Sequence, residues 1–164
     1  MRLEPWGTGD LPLLTRIMGD PEMTWFLGGP ERPEQLAKRQ RRYETAHETG
    51  RMFKIVDEET GEPVGSVGFW DKEWRGEQVY ETGWSVLPEW QGRGLAVAGT
   101  ALALEAARVE ARHRWVHAFP SVEHGASNAI CRKLGFELLG EVEFEYPKGH
   151  WLTSNDWRLD LTAG

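Results

Sequence analysis

The segment Leu87-Pro88-Glu89-Trp90-Gln91-Gly92-Arg93-Gly94-Leu95-Ala96 carries the densest chemical signal in the sequence. A strand-like run feeds a turn with two glycines, and the turn opens at once into a long helical run. The start of a helix leaves backbone N–H groups without partners and bears the positive end of the dipole. Glycine lets the backbone approach a ligand with no Cβ in the way. Such a turn is a cradle for an anion, phosphate or pyrophosphate above all. Glu81 is the second chemical candidate. It stands on the strand that feeds the turn, and alternation puts it on the same face as Gly83, Ser85 and Leu87. A carboxylate in that place can act as a general base.

Two common phosphate motifs fit poorly. A Walker loop needs Gly-x-x-x-x-Gly-Lys-Ser/Thr, and no such lysine is present. A dinucleotide fingerprint needs a third glycine where Val97 stands, and the next strand, Trp115–Phe119, lacks the acidic end that holds a ribose. NADH binding would revive an oxidoreductase. A third pattern, Gln-x-x-Gly-x-Ala, runs over Gln91-Gly92-Arg93-Gly94-Leu95-Ala96. It resembles the Gln/Arg-x-x-Gly-x-Gly/Ala signature of the GNAT superfamily of N-acetyltransferases. The stretch from Glu81 to Gly94 looks like the fourth strand and pyrophosphate loop of the ribosomal-protein-alanine acetyltransferase-like branch. Ala126-Ser127-Asn128-Ala129-Ile130-Cys131-Arg132-Lys133-Leu134-Gly135-Phe136 resembles the second CoA-facing helix of that branch, with its Lys-Leu-Gly-Phe ending. The resemblance is carried by residues 78–136; elsewhere it lies in the order of elements.

The resemblance implies an acyl-CoA-dependent N-acyltransferase with acetyl-CoA as cosubstrate and no metal. The backbone of Gly92, Arg93, Gly94, Leu95, Ala96 and Val97 would hold the pyrophosphate. The pantetheine arm would add as an extra strand along Val86 and its neighbour Leu87, and an amide near Val86 would donate to the developing oxyanion. An alkylamine, with a reference pKa of about 10.4, is mostly ammonium at neutral pH, so a base is useful, and Glu81 is the candidate. His124 stands where related sequences often carry an asparagine that contacts the pantetheine or the helix start. Ser127 and Asn128 are alternatives at the same helix end, and Ser127 reads equally as an N-cap. Many members of the superfamily use a tyrosine as the acid, and Cys131 takes that position here. A packed, apolar cysteine is the simpler reading of Cys131, and Tyr146 on the terminal hairpin is another candidate acid. A thiolate with a pKa near 8.5 leaves without one. The expected reaction is direct transfer to a primary amine of a small molecule or a peptide N-terminus, in a ternary complex. The alternative is a non-catalytic acyl-CoA-binding module of the same fold, kept open by the missing tyrosine.

The elements that must position these residues follow from pattern. Arg2–Trp6 reads as a strand, Asp10 to Met18 as a capped helix, and Pro33 to about His47 as an exposed helix. Met52–Val56, Pro63–Trp70 and Gln78–Leu87 read as an antiparallel meander, with a turn around Trp74-Arg75-Gly76. Leu95–Ala111 is a helix rich in Ala, Leu and Val. Trp115–Phe119 is a strand, Ser127–Leu134 a helix stopped by Gly135, and Phe136–Tyr146 pairs with His150–Leu161 across Pro147-Lys148-Gly149. These elements predict a single α/β domain over residues 1–164 with the GNAT fold, its mixed, mostly antiparallel sheet flanked by about four helices.

Composition narrows the partners. The chain of 164 residues carries a formal net charge of −7. That disfavours nucleic acid, which is bound largely through Lys and Arg. It suits a cationic substrate. One cysteine forbids an internal disulfide. No apolar run approaches the roughly 20 residues of a membrane span, and the start lacks a signal-peptide core. A soluble, cytoplasmic, bacterial enzyme is expected, with a homodimer as candidate assembly. Most of the nine tryptophans should be core, with some lining a pocket. The run Lys38-Arg39-Gln40-Arg41-Arg42 reads as a solvated helical face. Glu141, Glu143 and Glu145 read as a solvent-facing acidic stripe, or else as a rim that draws in an amine. His113 and His117 are four apart, but a strand begins between them, so helical metal-ligand geometry fails.

Overall fold

A computed structural model describes residues 1–46, 49–145 and 148–163. Among the described residues, seven strands form one sheet in the order β1-β2-β3-β4-β5-β7-β6. They are β1 (Arg2–Pro5), β2 (Gly50–Val56), β3 (Pro63–Trp74), β4 (Glu77–Val86), β5 (Trp115–Ala118), β6 (Glu137–Glu145) and β7 (Trp151–Asp160). The helices among the described residues are α1 (Leu11–Met18), α2 (Pro33–Glu44), α3 (Leu95–Glu110) and α4 (Gly125–Lys133), with one-turn 3-10 helices at Trp25–Leu27 and Pro88–Trp90. Among the described strands only β4 and β5 run parallel; the other neighbours are antiparallel. This is the expected mixed α/β architecture. The end assigned to the second helix, His47, lies outside the described residues, as do Tyr146 and Pro147 of the terminal hairpin.

The β3–β4 hairpin is tighter than the sequence predicts. Its turn is Arg75-Gly76 alone, with φ of 50° and 81°. Two left-handed residues match the twist of the flanking strands. Trp74, expected in the turn, is therefore the last residue of β3 and pairs with Glu77. The longer hairpin carries Lys72 and Trp74 onto the face of Glu81.

Apolar clusters lie on both faces of the sheet. One joins α3 and α4 to Ile55, Phe69, Tyr80, Val116 and Trp157. The other joins α1 and α2 to Trp6 and Leu87. Met52 and Phe53, adjacent on β2, pack against different clusters, as strand alternation requires. Each fully buried Leu, Val or Phe contributes about 1.5–3 kcal/mol relative to exposure. Of the nine tryptophans only Trp6 and Trp157 are buried, while Trp25 and Trp151 stand largely exposed. The core is thus built from aliphatic residues more than the count suggested.

Two charge runs also resolve. The basic run on α2 is not one solvated face. Arg39 is mostly buried and paired with Glu31 at 2.6 Å; burial opposes its charge, but the bonds from Glu31 and Tyr43 outweigh that and hold the guanidinium above its ordinary value. Gln40 is buried, accepting from Trp6 Nε1 at 2.8 Å and donating to the Gly7 carbonyl at 2.9 Å. A period of 3.6 carries Leu36, Arg39, Gln40 and Tyr43 inward and leaves Lys38, Arg41 and Arg42 outside. On β6, Phe144 packs against Trp74 and Phe119. The exposed Glu141, Glu143 and Glu145 therefore project from the opposite face.

Candidate active site

β4 and β5 pair only at Tyr80 with Val116 and Glu81 with His117. Beyond Glu81 the strands diverge, so among the described residues Thr82–Val86 has a strand partner on the β3 side alone. The Leu87 amide donates to the Val64 carbonyl at 2.9 Å, toward β3. Alternation turns the N–H groups of Val86 and Trp84 the other way, to the open edge. The Val86 carbonyl on that edge accepts from Gln91 Nε2 at 2.9 Å. Gln91 thus ties the start of the glycine turn to the end of β4. Leu87 has a different employment: it is buried, and its carbonyl accepts from the Trp90 amide at 2.9 Å. Its backbone serves the fold, while Val86 presents its amide.

After the 3-10 turn the chain passes through Gly92 and Gly94, at φ of 77° and 76°. L side chains rarely adopt these values, and a Cβ built at either glycine meets nothing within 4 Å. The first helical bond of α3 runs from the Ala98 amide to the Gly94 carbonyl at 3.0 Å. The amides of Leu95, Ala96 and Val97 therefore have no partner inside the helix. Arg93 folds back, donating to the Glu89 carbonyl at 3.1 Å with its guanidinium 4.6 Å from the Trp90 ring centroid. Glu89 is braced in turn by Arg16.

A cleft of about 900 Å³ opens where β4 leaves β5. Glu81, Gly83 and Ser85 all line it, as alternation along β4 predicts. Trp70 and Trp84 line it too, with Arg42 and Tyr43 from α2. Glu81 is a quarter exposed, and its Oε1 lies 3.3 Å from Lys72 Nζ. No periodic rule links Lys72 to Glu81, and the sequence reading missed it; the signal was the diagonal relation of the two residues across a hairpin.

The start of α4 forms another wall. His124 is the N-cap residue, so Ser127 lies inside the helix and is not its cap. The His124 ring stacks on Phe26, with centroids 4.5 Å apart and planes at 13°. Burial pushes the His124 pKa below its ordinary value and so favours the neutral ring. Ser127 Oγ is 3.5 Å from His124 Nε2, and both residues line the cleft. Asn128 is used up inside the fold. Its Nδ2 donates to the carbonyls of Ser121 and His124, both at 2.9 Å. Its Oδ1 accepts from Asn155 Nδ2 and Trp157 Nε1, both at 2.8 Å. Every hydrogen-bonding position of the amide is taken, so Asn128 braces the helix end for its neighbours. Cys131 is fully buried in the larger cluster, and burial pushes its thiol up to about 12. It packs as an apolar side chain. The candidate acid Tyr146 lies outside the described residues. His113 and His117 each have a carboxylate partner, Asp71 at 2.9 Å and Asp156 at 2.6 Å.

A helix start with unpaired amides, an open strand edge leading to it and a carboxylate in the adjoining cleft form a site suited to acyl transfer from a CoA thioester. The family model of the acetyltransferase (GNAT) domain matches residues 1–137. The chain belongs to the GNAT acetyltransferase family and is an acyl-CoA-dependent N-acetyltransferase, with acetyl-CoA as the cosubstrate of that chemistry. It is 29% identical, over 94% of its length and 91% of the relative's, to the L-methionine sulfoximine/L-methionine sulfone acetyltransferase of Pseudomonas aeruginosa. Its fold matches a ribosomal-protein-alanine N-acetyltransferase from Brucella melitensis with a TM-score of 0.80 at 22% identity, covering 98% of this chain and 99% of the other. A phosphinothricin acetyltransferase from Sinorhizobium meliloti, solved with acetyl-CoA, matches with a TM-score of 0.77 at 22% identity, covering 97% and 87%.

Proposed function

We propose that this enzyme acetylates the primary amine of a small, amino-acid-like acceptor by direct attack within a ternary complex, with Glu81 as the base. The observation that carries this reading is the placement of Glu81 in a cleft that begins where the open edge of β4 begins. The positive-φ turn at Gly92 and Gly94 and the free amides of Leu95, Ala96 and Val97 suit the diphosphate of acetyl-CoA. Arg93 shapes that turn. The amides of Trp84 and Val86 suit an extended pantetheine arm, and Val86 N–H is the donor for the carbonyl oxygen as it gains charge. His124 and Ser127 border the same channel from α4.

In this scheme the amine nitrogen attacks the thioester carbonyl. Its N–C bond forms as the C–S bond breaks, and the electron pair leaves on sulfur. The acceptor ammonium first gives one proton to Glu81, directly or through one water, which frees the nitrogen lone pair for attack, and the second proton leaves the nitrogen for solvent as the amide forms. The thiolate departs unaided and takes its proton from solvent, since the buried Cys131 thiol, pushed up to about 12, is too weak an acid to supply one.

The acceptor class has two supports. Arg42, exposed on the cleft wall, offers a cation for a carboxylate, while Glu81 faces the amine. The Pseudomonas relative is named for two α-amino acids carrying an oxidised methionine side chain. A bacterial, cytoplasmic setting is part of the proposal. It is supported by the origin of that relative and by the single reduced cysteine. No helix among the described residues is long and apolar enough to cross a membrane.

Thiol release from acetyl-CoA, measured against a panel of L-methionine sulfone, other amino acids, polyamines and peptides, tests the acceptor class. Turnover confined to amino acids is the expected result, and turnover confined to polyamines or peptides would overturn it.

A further inference from the structure

The ammonium of Lys72 sits in a box of aromatic rings. Its Nζ is 5.6 Å from the centroid of Trp74, 5.3 Å from Phe119 and 5.4 Å from Phe144. The three rings pack on one another, at 4.9 Å for Trp74 with Phe119, 5.1 Å for Phe119 with Phe144 and 5.5 Å for Trp74 with Phe144. The box is fixed from below: Trp74 Nε1 donates to Asp156 Oδ2 at 3.1 Å, and Asp156 Oδ1 lies 2.6 Å from His117 Nδ1. Both members of that pair are buried. Three strands or their ends, β3, β5 and β6, thus bring rings to one lysine head, and β7 supports them through Asp156.

The head has one charged partner among the described residues, Glu81. Glu81 and Phe119 face the cleft, whereas Lys72, Trp74 and Phe144 stand outside its lining. An exposed lysine of four rotatable bonds is a poor anchor, because the side-chain entropy it loses rivals what a surface ion pair gains. Here the rings remove that freedom and attract the cation through their faces. The Glu81 side chain is a quarter exposed and so is Lys72, so solvent reaches the pair without dispersing it.

We propose that Lys72 is a positioning residue for Glu81: clamped by Trp74, Phe119 and Phe144, its ammonium holds Oε1 of Glu81 from behind and leaves Oε2 toward the acceptor amine. The proposal rests on the reading of Glu81 as base. It assigns the aromatic box a purpose that neither cosubstrate binding nor the core requires. Lys72 touches no reacting atom; it acts by restricting the carboxylate to the rotamer that meets the amine, and a misplacement near 1 Å costs an enzyme about a hundredfold in rate.

The test is a double-mutant cycle read by steady-state kinetics with acetyl-CoA and a saturating acceptor. Lys72→Met keeps the aliphatic stem against the rings and removes the charge. Its kcat should fall about ten- to a hundredfold, with the KM for acetyl-CoA and the melting temperature unmoved. Lys72→Arg, which keeps a cation that rings also bind, should recover most of the loss. In a Glu81→Gln background Lys72→Met should change nothing further. Phe144→Leu, which opens one side of the box at a half-buried position, should lower kcat in the same direction and decides the matter should Lys72→Met fail to fold. A Lys72→Met enzyme with parental kcat, or one slowed equally in both backgrounds, overturns the proposal while leaving Glu81 as base. A Glu81→Gln enzyme as fast as the parent overturns the base itself and this proposal with it.

Discussion

Replacing Gly94 by alanine separates what the glycine turn does for the fold from what it does for the ligand. Gly94 sits at φ 76° and caps α3. A side chain in that left-handed region costs roughly 1–2 kcal/mol. For a domain of this size each kcal/mol moves the melting temperature by about 2–4 °C, so Gly94→Ala should melt about 2–8 °C lower. The new methyl meets no protein atom within 4 Å, so no neighbour is displaced and the backbone strain is the whole structural cost. Any loss of CoA affinity beyond that arises because the methyl stands in the ligand's space or turns an amide away from it. One amide-to-phosphate hydrogen bond is a charge-assisted bond of about 1.5–3 kcal/mol, or roughly a ten- to 150-fold rise in Kd. Gly61 supplies the control. It lies in the β2–β3 turn at φ 73°, and a Cβ there also meets nothing within 4 Å. Gly61→Ala should show a similar melting loss with an unchanged Kd. The measurements are titration calorimetry with CoA and thermal unfolding of the two variants beside the parent. If Gly94→Ala lost stability like Gly61→Ala yet bound CoA within twofold of the parent, the turn would not be the diphosphate cradle.

Three further outcomes are expected. Glu81→Gln should lower kcat by about 10²–10⁴, the range of general-base contributions, while calorimetry finds CoA binding intact. Arg42→Ala should raise the acceptor KM about tenfold, as loss of a charge-assisted contact does, and leave that of acetyl-CoA unmoved. Cys131 makes stability fall at high pH: its thiol ordinarily titrates near 9 and is pushed up to about 12 in the fold. Above pH 9 the unfolded chain sheds a proton that the folded one keeps, so stability declines with rising pH, at up to about 1.4 kcal/mol per unit; in urea melts from pH 8 to 11, Cys131→Ala should show the flatter slope, and equal slopes would remove the thiol from the account.

The order of elements was readable because each carries a local signal. Leu95–Ala111 is dense in Ala, Leu and Val and has no proline, Gly135 ends α4 in a left-handed conformation at φ 86°, and the strands between polar turns alternate. The glycine turn was readable for the same reason, since its chemistry lies within six consecutive residues. What the sequence hid depends on partners far along the chain. Arg39 looks solvated until Glu31 folds back on it. Asn128 looks ready for a ligand until Asn155 and Trp157, nearly 30 residues on, take its oxygen. Trp74 reads as a turn residue because tryptophan at a hairpin end has no periodic signature. The Lys72–Glu81 pair needs the hairpin register, which Arg75-Gly76 fixes and which a slip of one residue would destroy.

The parting of β4 from β5 leaves the sheet joined across its middle by two residue pairs, Tyr80 with Val116 and Glu81 with His117. Strands β1 to β4 form one leaf and β5, β7 and β6 the other, so the seam between them is the weakest line in the backbone ladder. An acetyl-CoA arm laid along the free margin of β4 would act as a splint across that seam. Enzyme starved of cosubstrate should then breathe along this line and be cut sooner by proteases, which couples its lifetime in the cell to the supply of the molecule it consumes.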